Sequence, residues 1–348
     1  PFKFFVKHGL RVQERQEFEV DHRQKGSFQH EVLSEFHLRA TRDGKRWRDW
    51  SPENAVALLR QIGVEKLKSF EGGLFDADQA RRFTAEMLLQ NLERLVATLV
   101  AWMEHYRFEP QRVELAFGLT GAELPGWEID LDGGRKLLLR GKVDRIDLLP
   151  LPDSNSALAV VIDYKSSARK VDAVKLHNGL ELQLLSYVGW LRQAPAEKFG
   201  VRELIPAGVF YVGLRGGVKG AGSRDETFDE PEAARRKAFQ HSGRFNENFY
   251  GHLDATDSGE QFATHYMSRN KTKAEEFTQL VADVERHVKQ FGNRILDGVI
   301  EIVPYRKAQE TACSRCEFQG VCRFDSWVEP FRPLQPLPRK AATKGRKA

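Results

Sequence analysis

The chain reads as an α/β protein, and three observations carry that reading. Before residue 106, two long stretches repeat apolar residues at helical spacing. From about Arg112 the period shortens to that of strands, broken by Gly and Pro turns. Residues 158–165, Leu-Ala-Val-Val-Ile-Asp-Tyr-Lys, are apolar on both faces until the last three positions, as a strand covered on both sides must be.

The first helix is expected over 27–40, with Phe28, Val32, Leu33 and Phe36 on one stripe, Gly26-Ser27 as its cap, and His30, Ser34 and His37 on another face. A second helix, of scaffold length, covers 78–105 with Leu88, Leu92, Leu95, Val96, Leu99 and Trp102. Strands follow at 113–119, 127–131, 136–149 and 158–165, then a helix at 179–192 and a strand at 205–212. Residues 215–224, rich in Gly and basic side chains, read as an exposed loop, and 275–297 as a helix. Three parts result: a helical beginning over 1–110, a core over 111–330 that includes a cysteine cluster, and a flexible basic tail over 331–348.

At 41% hydrophobic and 30% charged residues, the composition excludes a disordered or fibrous chain. No stretch approaches the roughly 18 uninterrupted apolar residues of a membrane span, so the chain reads as soluble and cytoplasmic, with no membrane partner. The net charge of +5 does not by itself indicate a nucleic-acid surface, because Arg332, Arg339, Lys340, Lys344, Arg346 and Lys347 follow the last acid and the rest is close to neutral. The phosphate-loop pattern of an ATP-driven motor is absent. The opening Pro-Phe-Lys, without methionine, reads as the start of a piece of a longer protein.

Asp163 and Lys165 alternate about Tyr164, so both leave one face at the end of the covered strand. Asp144, in Gly141-Lys142-Val143-Asp144-Arg145-Ile146-Asp147, falls near the end of the neighbouring antiparallel strand, where it can meet Asp163 over one divalent ion. Phosphodiester hydrolysis uses such a pair: hard carboxylate oxygens suit Mg²⁺, which lowers the pKa of water and offsets the charge of the pentacovalent phosphate. Lys165 would stabilise that charge or help deprotonate water. An isolated Asp-x-Lys is more often a solvated strand end; the apolar run leading into Asp163 argues for a counter-charge or ion there. Asp147, of opposite parity to Asp144, reads as structural. Gln183 and Tyr187, four apart on one helix face, can bond Lys165 or a substrate phosphate, or simply pack at a boundary. His30 is an exposed helix histidine or, as an imidazole ligand, one that predicts tolerance of Mn²⁺.

In this order, Gly26-Ser27-Phe28-Gln29-His30, the Gly141–Asp147 segment, Val161-Ile162-Asp163-Tyr164-Lys165-Ser166-Ser167 and Gln183-x-x-x-Tyr187 resemble the RecB-like PD-(D/E)XK nuclease family. The opening Pro1-Phe2-Lys3-Phe4-Phe5, Pro206-Ala207-Gly208-Val209-Phe210-Tyr211 and Cys313-x2-Cys316-x5-Cys322 are similar to the AddB/RexB branch of it. The resemblance implies a restriction-endonuclease-like core, a central mixed sheet flanked by helices, with an iron–sulfur staple near the C-terminus. It also implies His30, Asp144 and Asp163 as metal ligands with the Tyr164 carbonyl, Lys165 as base or stabiliser, and Gln183 and Tyr187 in support. The implied activity is Mg²⁺-dependent cleavage of single-stranded DNA alongside an AddA-like helicase–nuclease subunit. A catalytically silent DNA-binding scaffold and a stand-alone CRISPR-associated or phage-type exonuclease are the alternatives.

Cys313, Cys316 and Cys322 are too few and too clustered for a disulfide framework and point to a metal. Both zinc and four-iron centres take four ligands, so one is missing. The readings are zinc completed by a histidine, three unmetallated thiols or, as the resemblance implies, a 4Fe-4S cluster whose fourth cysteine stood directly before Pro1.

Overall fold

The computed structural model describes residues 1–13, 20–152, 154–216, 236–255, 261–262, 271–314 and 316–337. Most of the expected 215–224 loop and the end of the basic tail lie outside them. Six strands form a mixed sheet in the order β1 (Glu109–Phe117), β4 (Gly141–Pro150), β5 (Ser156–Lys165), β6 (Glu203–Gly213), β7 (Ser242–Asn246) and β8 (Lys271–Thr272). β4 runs antiparallel to both its neighbours, β1 and β5, whereas β5 and β6 are parallel, joined by a crossover through α4 (Ala173–His177) and α5 (Gln183–Leu191). β5 is buried from Ser156 to Tyr164, as its two apolar faces require.

Each face of β5 serves a different layer. Leu158, Val160 and Ile162 pack with α1 (His22–Arg42), α2 (Pro52–Ser69) and α3 (Gln79–Trp102), meeting a cluster that includes Phe28, Phe36, Leu92 and Val96. Ala157, Ala159 and Val161 face α5 and α6 (Ala274–Leu296), against Leu184, Val188, Val281 and Val284. Each fully buried aliphatic or aromatic side chain contributes roughly 1.5–3 kcal/mol, so the two-sided strand anchors both layers. On α5, Gly189 lies under Trp127, where an added Cβ would stand 2.2 Å from the indole.

Several boundaries differ from the sequence reading. α1 begins at His22, one turn earlier than expected, because Asp21 rather than Gly26-Ser27 is its cap: Asp21 Oδ1 accepts from the Gln24 amide at 2.7 Å and Gln24 Oε1 accepts from the Asp21 amide at 3.1 Å. The strand expected over 136–149 is two. β3 (Lys136–Leu139) turns away to pair with β2 (Trp127–Asp130), and Leu131 and Leu137 seat this ribbon on Gly292 of α6. The helix expected over 179–192 begins only at Gln183, since Gly179 and Glu181 hold positive φ of 73° and 57°. α2 was not foreseen. Ser51 caps it, accepting from the Asn54 amide at 3.3 Å, and Pro52 occupies its first turn.

On the α1–α3 face of the sheet lies a sealed ion pair. Arg145, 1% exposed, donates from Nε and Nη2 to the two oxygens of Asp147 at 2.6 Å each, and Asp147 is fully buried. The Tyr106 hydroxyl donates to Asp147 Oδ2 at 3.0 Å, Arg145 Nη1 donates to the Tyr164 hydroxyl at 3.2 Å, and the guanidinium sits 4.7 Å from the Trp47 ring centroid. Asp147 thus occupies the structural position expected of it. Breaking one side of such a pair strands a buried charge. Arg145→Met is therefore expected to lower unfolding free energy by about 3–5 kcal/mol, and Arg145→Met/Asp147→Leu to recover most of it, as read by denaturant titration. A single variant as stable as the parent would contradict this account.

Candidate active site

Side chains from four elements converge where β4 and β5 end. The last paired residues of these two strands are Arg145 and Ile162, so Asp144 and Asp163 are the next residues outward on each. Asp144 Oδ2 accepts from the Tyr164 amide at 2.7 Å, which locks the two strand ends together. From α1, His30 reaches across: its Nδ1 donates to Glu114 Oε1 at 2.8 Å and lies 3.6 Å from Asp144 Oδ1. His30, Glu114 and Asp144 present ligand atoms within 4.8 Å of one another.

Glu114 was not singled out from the sequence. It lies in the expected first strand, but its backbone adopts a left-handed conformation, φ +48°. That conformation costs roughly 1–3 kcal/mol for a residue with a Cβ and recurs where a side chain must be re-aimed. Here the carboxylate meets His30 and the Lys142 ammonium. The available signal was a lone acid within Val113-Glu114-Leu115-Ala116-Phe117.

Asp163 is fully buried; its Oδ2 lies 2.6 Å from the Lys165 ammonium, and its Oδ1 has no hydrogen-bond partner among the described residues. Lys165 also donates to Gln183 Oε1 at 3.1 Å, and Gln183 Nε2 donates to the Tyr187 hydroxyl at 2.8 Å. Lysine, amide and phenol form one chain across the β5–α5 boundary. His37, on the same helix as His30, is elsewhere: it accepts from Trp47 Nε1 at 3.1 Å, and burial pushes it down to about 4, so it stays neutral.

The electrostatics are those of too many acids in too little water. Burial raises Asp144 to about 7, the neighbouring Asp163 and Glu114 add to this, and His30 opposes it. Burial likewise raises Asp163 despite the Lys165 ammonium. Burial alone would depress His30, but Glu114, Asp144 and Asp163 outweigh it and the imidazole is raised. Asp163 stands outside the group formed by His30, Glu114 and Asp144, against the Lys165 ammonium; the two carboxylates and the imidazole of that group make a hard donor set of the kind a divalent cation satisfies.

The cysteines lie near the C-terminal end of the described chain. The Cys316 amide donates to the Cys313 carbonyl at 3.1 Å, and the Cys322 amide to the Phe318 carbonyl at 2.8 Å. Burial and the two neighbouring cysteines push the Cys313 thiol up. The N-terminal turn meets this segment: Lys3 pairs with Glu317 at 3.3 Å and lies 5.7 Å from the Phe318 ring centroid, and Arg23 pairs with Glu317 at 3.0 Å.

A mixed sheet that delivers acid, acid and lysine to the ends of two adjacent strands is the arrangement of a metal-dependent nuclease core. Residues 1–323 match the model of the PD-(D/E)XK nuclease superfamily, and the chain belongs to that superfamily. Among its relatives are proteins named as the B-type subunits of ATP-dependent helicase/deoxyribonucleases. That of Symbiobacterium thermophilum is 31% identical over 97% of this chain and 30% of its own length. That of Lysinibacillus sphaericus is 31% identical over 100% and 31%, and that of Alkaliphilus metalliredigens 26% over 94% and 29%. The chain spans about 30% of the length of these curated relatives. No helix among the described residues is long and apolar enough to cross a membrane.

The sign of the pH effect follows from Asp144. Its folded pKa of about 7 exceeds the ordinary carboxylate value, so its contribution to stability is fully present below about pH 4 and is lost as pH rises through 7. Without divalent ions, the parent is expected to lose stability relative to Asp144→Asn between about pH 4 and pH 7, by at most on the order of 4 kcal/mol. Parallel thermal-unfolding profiles in EDTA would reject this.

Proposed function

We propose that this chain is the nuclease part of an AddAB-type helicase–nuclease: a Mg²⁺-dependent deoxyribonuclease, tolerant of Mn²⁺, that hydrolyses single-stranded DNA during double-strand-break processing in the cytoplasm. The observation that carries it is the group of His30, Glu114 and Asp144, with ligand atoms within 4.8 Å of one another, beside the buried Asp163–Lys165 ion pair at the end of the adjacent strand. His30, Asp144 and Asp163 would hold the ion, with Glu114 beside them and the Tyr164 carbonyl as a further oxygen. When bound, the ion supplies a more acidic water and offsets charge on the phosphate.

The remaining chemistry belongs to the side chains. Lys165, steered by Gln183 and through it by Tyr187, presents its ammonium to the developing phosphate charge or takes part in deprotonating the attacking water. Asp163 holds that ammonium close, at 2.6 Å. The chain carries no phosphate loop, which fits a strand fed by a separate motor, an AddA-like partner subunit. The same reading takes 1–110 as the helical part of the nuclease domain and 111–330 as its core.

Asp163→Ala and Lys165→Ala are each expected to reduce Mg²⁺-dependent cleavage of a single-stranded oligonucleotide at least about 100-fold, the scale of removing one group that stabilises transition-state charge, with the fold retained in thermal unfolding. Full activity in Asp163→Ala would overturn the mechanism.

For Cys313, Cys316 and Cys322 we infer a structural 4Fe-4S cluster to which they give three thiolates, a soft donor set suited to iron–sulfur or zinc. The ion pairs of Lys3 and Arg23 with Glu317 support a staple between the first residues and this segment. Protein purified anaerobically is expected to contain iron and acid-labile sulfide with visible thiolate-to-iron absorbance. Stoichiometric zinc without iron would replace the cluster with a zinc site.

A further inference from the structure

A cleft of about 680 Å³ begins at Lys165 and is floored by residues 166–172. Its floor is fixed in place. The Leu214 amide donates to the Lys165 carbonyl at 2.7 Å, and Gly213 lets the loop backbone lie directly on the end of β6: a Cβ there would stand 3.0 Å from the Ala168 nitrogen. Four cations border the cleft, Lys165, Arg169, Lys170 and Lys175.

Two of them flank one aromatic ring. The Arg169 guanidinium lies 5.5 Å and the Lys165 ammonium 5.8 Å from the centroid of Tyr211, whose hydroxyl is pushed up to about 12 by burial and by Asp163. Glu181, in its left-handed backbone position, accepts from Arg169 at 2.8 Å and Lys175 at 2.9 Å, and Lys175 is shared with Glu310 at 2.7 Å. The third acid of the lining, Asp172, pairs with Lys307. Lys170 is exposed and has no ion pair among the described residues. The acids therefore orient Arg169 and Lys175 and leave the cleft with an excess of positive charge.

We propose that this cleft binds the phosphate adjoining the scissile one in a nucleic-acid strand, with Arg169 as the main donor and Lys170 adding charge. The proposal rests on the nuclease reading of the neighbouring carboxylates. Both cations stand 5.8 Å or less from the Tyr211 ring centroid, and a phosphodiester chain supplies anionic groups to both at successive linkages. Arg169 suits the task because its side chain is 40% exposed, and with Glu181 holding part of the fork the other N–H groups stay available to a phosphate. The volume lies within the range of small-ligand pockets and admits a nucleotide. Arg169 is in this account a positioning residue: holding the adjoining phosphate sets the scissile one against Lys165.

The test is binding of a labelled single-stranded oligonucleotide to the whole chain in EDTA, over a salt series, so that no cleavage intervenes. Arg169→Ala is expected to weaken binding about tenfold and to reduce the slope of log affinity against log salt by about 0.7, the value for one phosphate contact on a single strand. Arg169→Lys is expected to keep the slope. An oligonucleotide series with one neutral methylphosphonate at successive linkages is expected to reveal a linkage whose neutralisation weakens the parent but not Arg169→Ala. Unchanged affinity and slope in a folded Arg169→Ala chain overturn the proposal. Should that variant unfold, a parent indifferent to every neutral linkage overturns it. Loss of cleavage in Asp163→Ala together with unaltered Arg169→Ala binding removes the subsite and leaves the nuclease reading standing.

Discussion

A guanidinium and a carboxylate sealed between the sheet and its helical layer are costly to bury, and here that cost is tied to the geometry of the site. Arg145 follows Asp144 in β4 and bonds the hydroxyl of Tyr164, which follows Asp163 in β5. The Tyr164 amide in turn holds Asp144. The two acid-bearing strands are thus tied to each other by the Arg145–Tyr164 and Tyr164–Asp144 bonds, while the fork to Asp147, within β4, fixes the guanidinium. A one-residue slip would carry every buried side chain of β5 to the wrong face and break both cross-strand bonds. With Arg145 paired to Ile162, Asp144 and Asp163 are the next residues outward on each strand.

Convergence of the acids has an electrostatic cost. Burial raises both Asp144 and Asp163, the neighbouring Asp163 adds to the rise of Asp144, and His30 and Lys165 only partly compensate. A cation or a proton relieves such a cluster. The strained backbone at Glu114 belongs to the same economy, in which conformational preference is given up to aim one more carboxylate at His30.

Much of this was legible in the sequence because it rests on local pattern. The unbroken apolar run into Asp163 announced a central strand, parity put Asp163 and Lys165 on one face, and spacing put Gln183 beside Tyr187. Other features depend on what pattern does not encode. Asp21 and Gln24 outcompete Gly26-Ser27 for the cap of α1 because they satisfy two amides reciprocally. Residues 136–149 read as one strand, yet the ribbon formed by β2 and β3 has its own partner in Gly292, more than 140 residues on. α2 carried a usable Ser-Pro start that went unread. Glu114 was hidden because a strand pattern gives no warning of a left-handed residue within it.

His30 stands on the first long helix, 84 residues before Glu114 and farther still from the ends of β4 and β5 that it meets. No contiguous fragment of the chain shorter than the span from α1 through β5 contains the whole cluster. During synthesis the acids and the imidazole remain separate side chains on separate pieces of backbone until the sheet closes its long-range pairings, which are slow because loop closure precedes their reward. The constellation therefore matures with the tertiary structure, and a nascent or partly unfolded molecule carries its parts without the assembled centre.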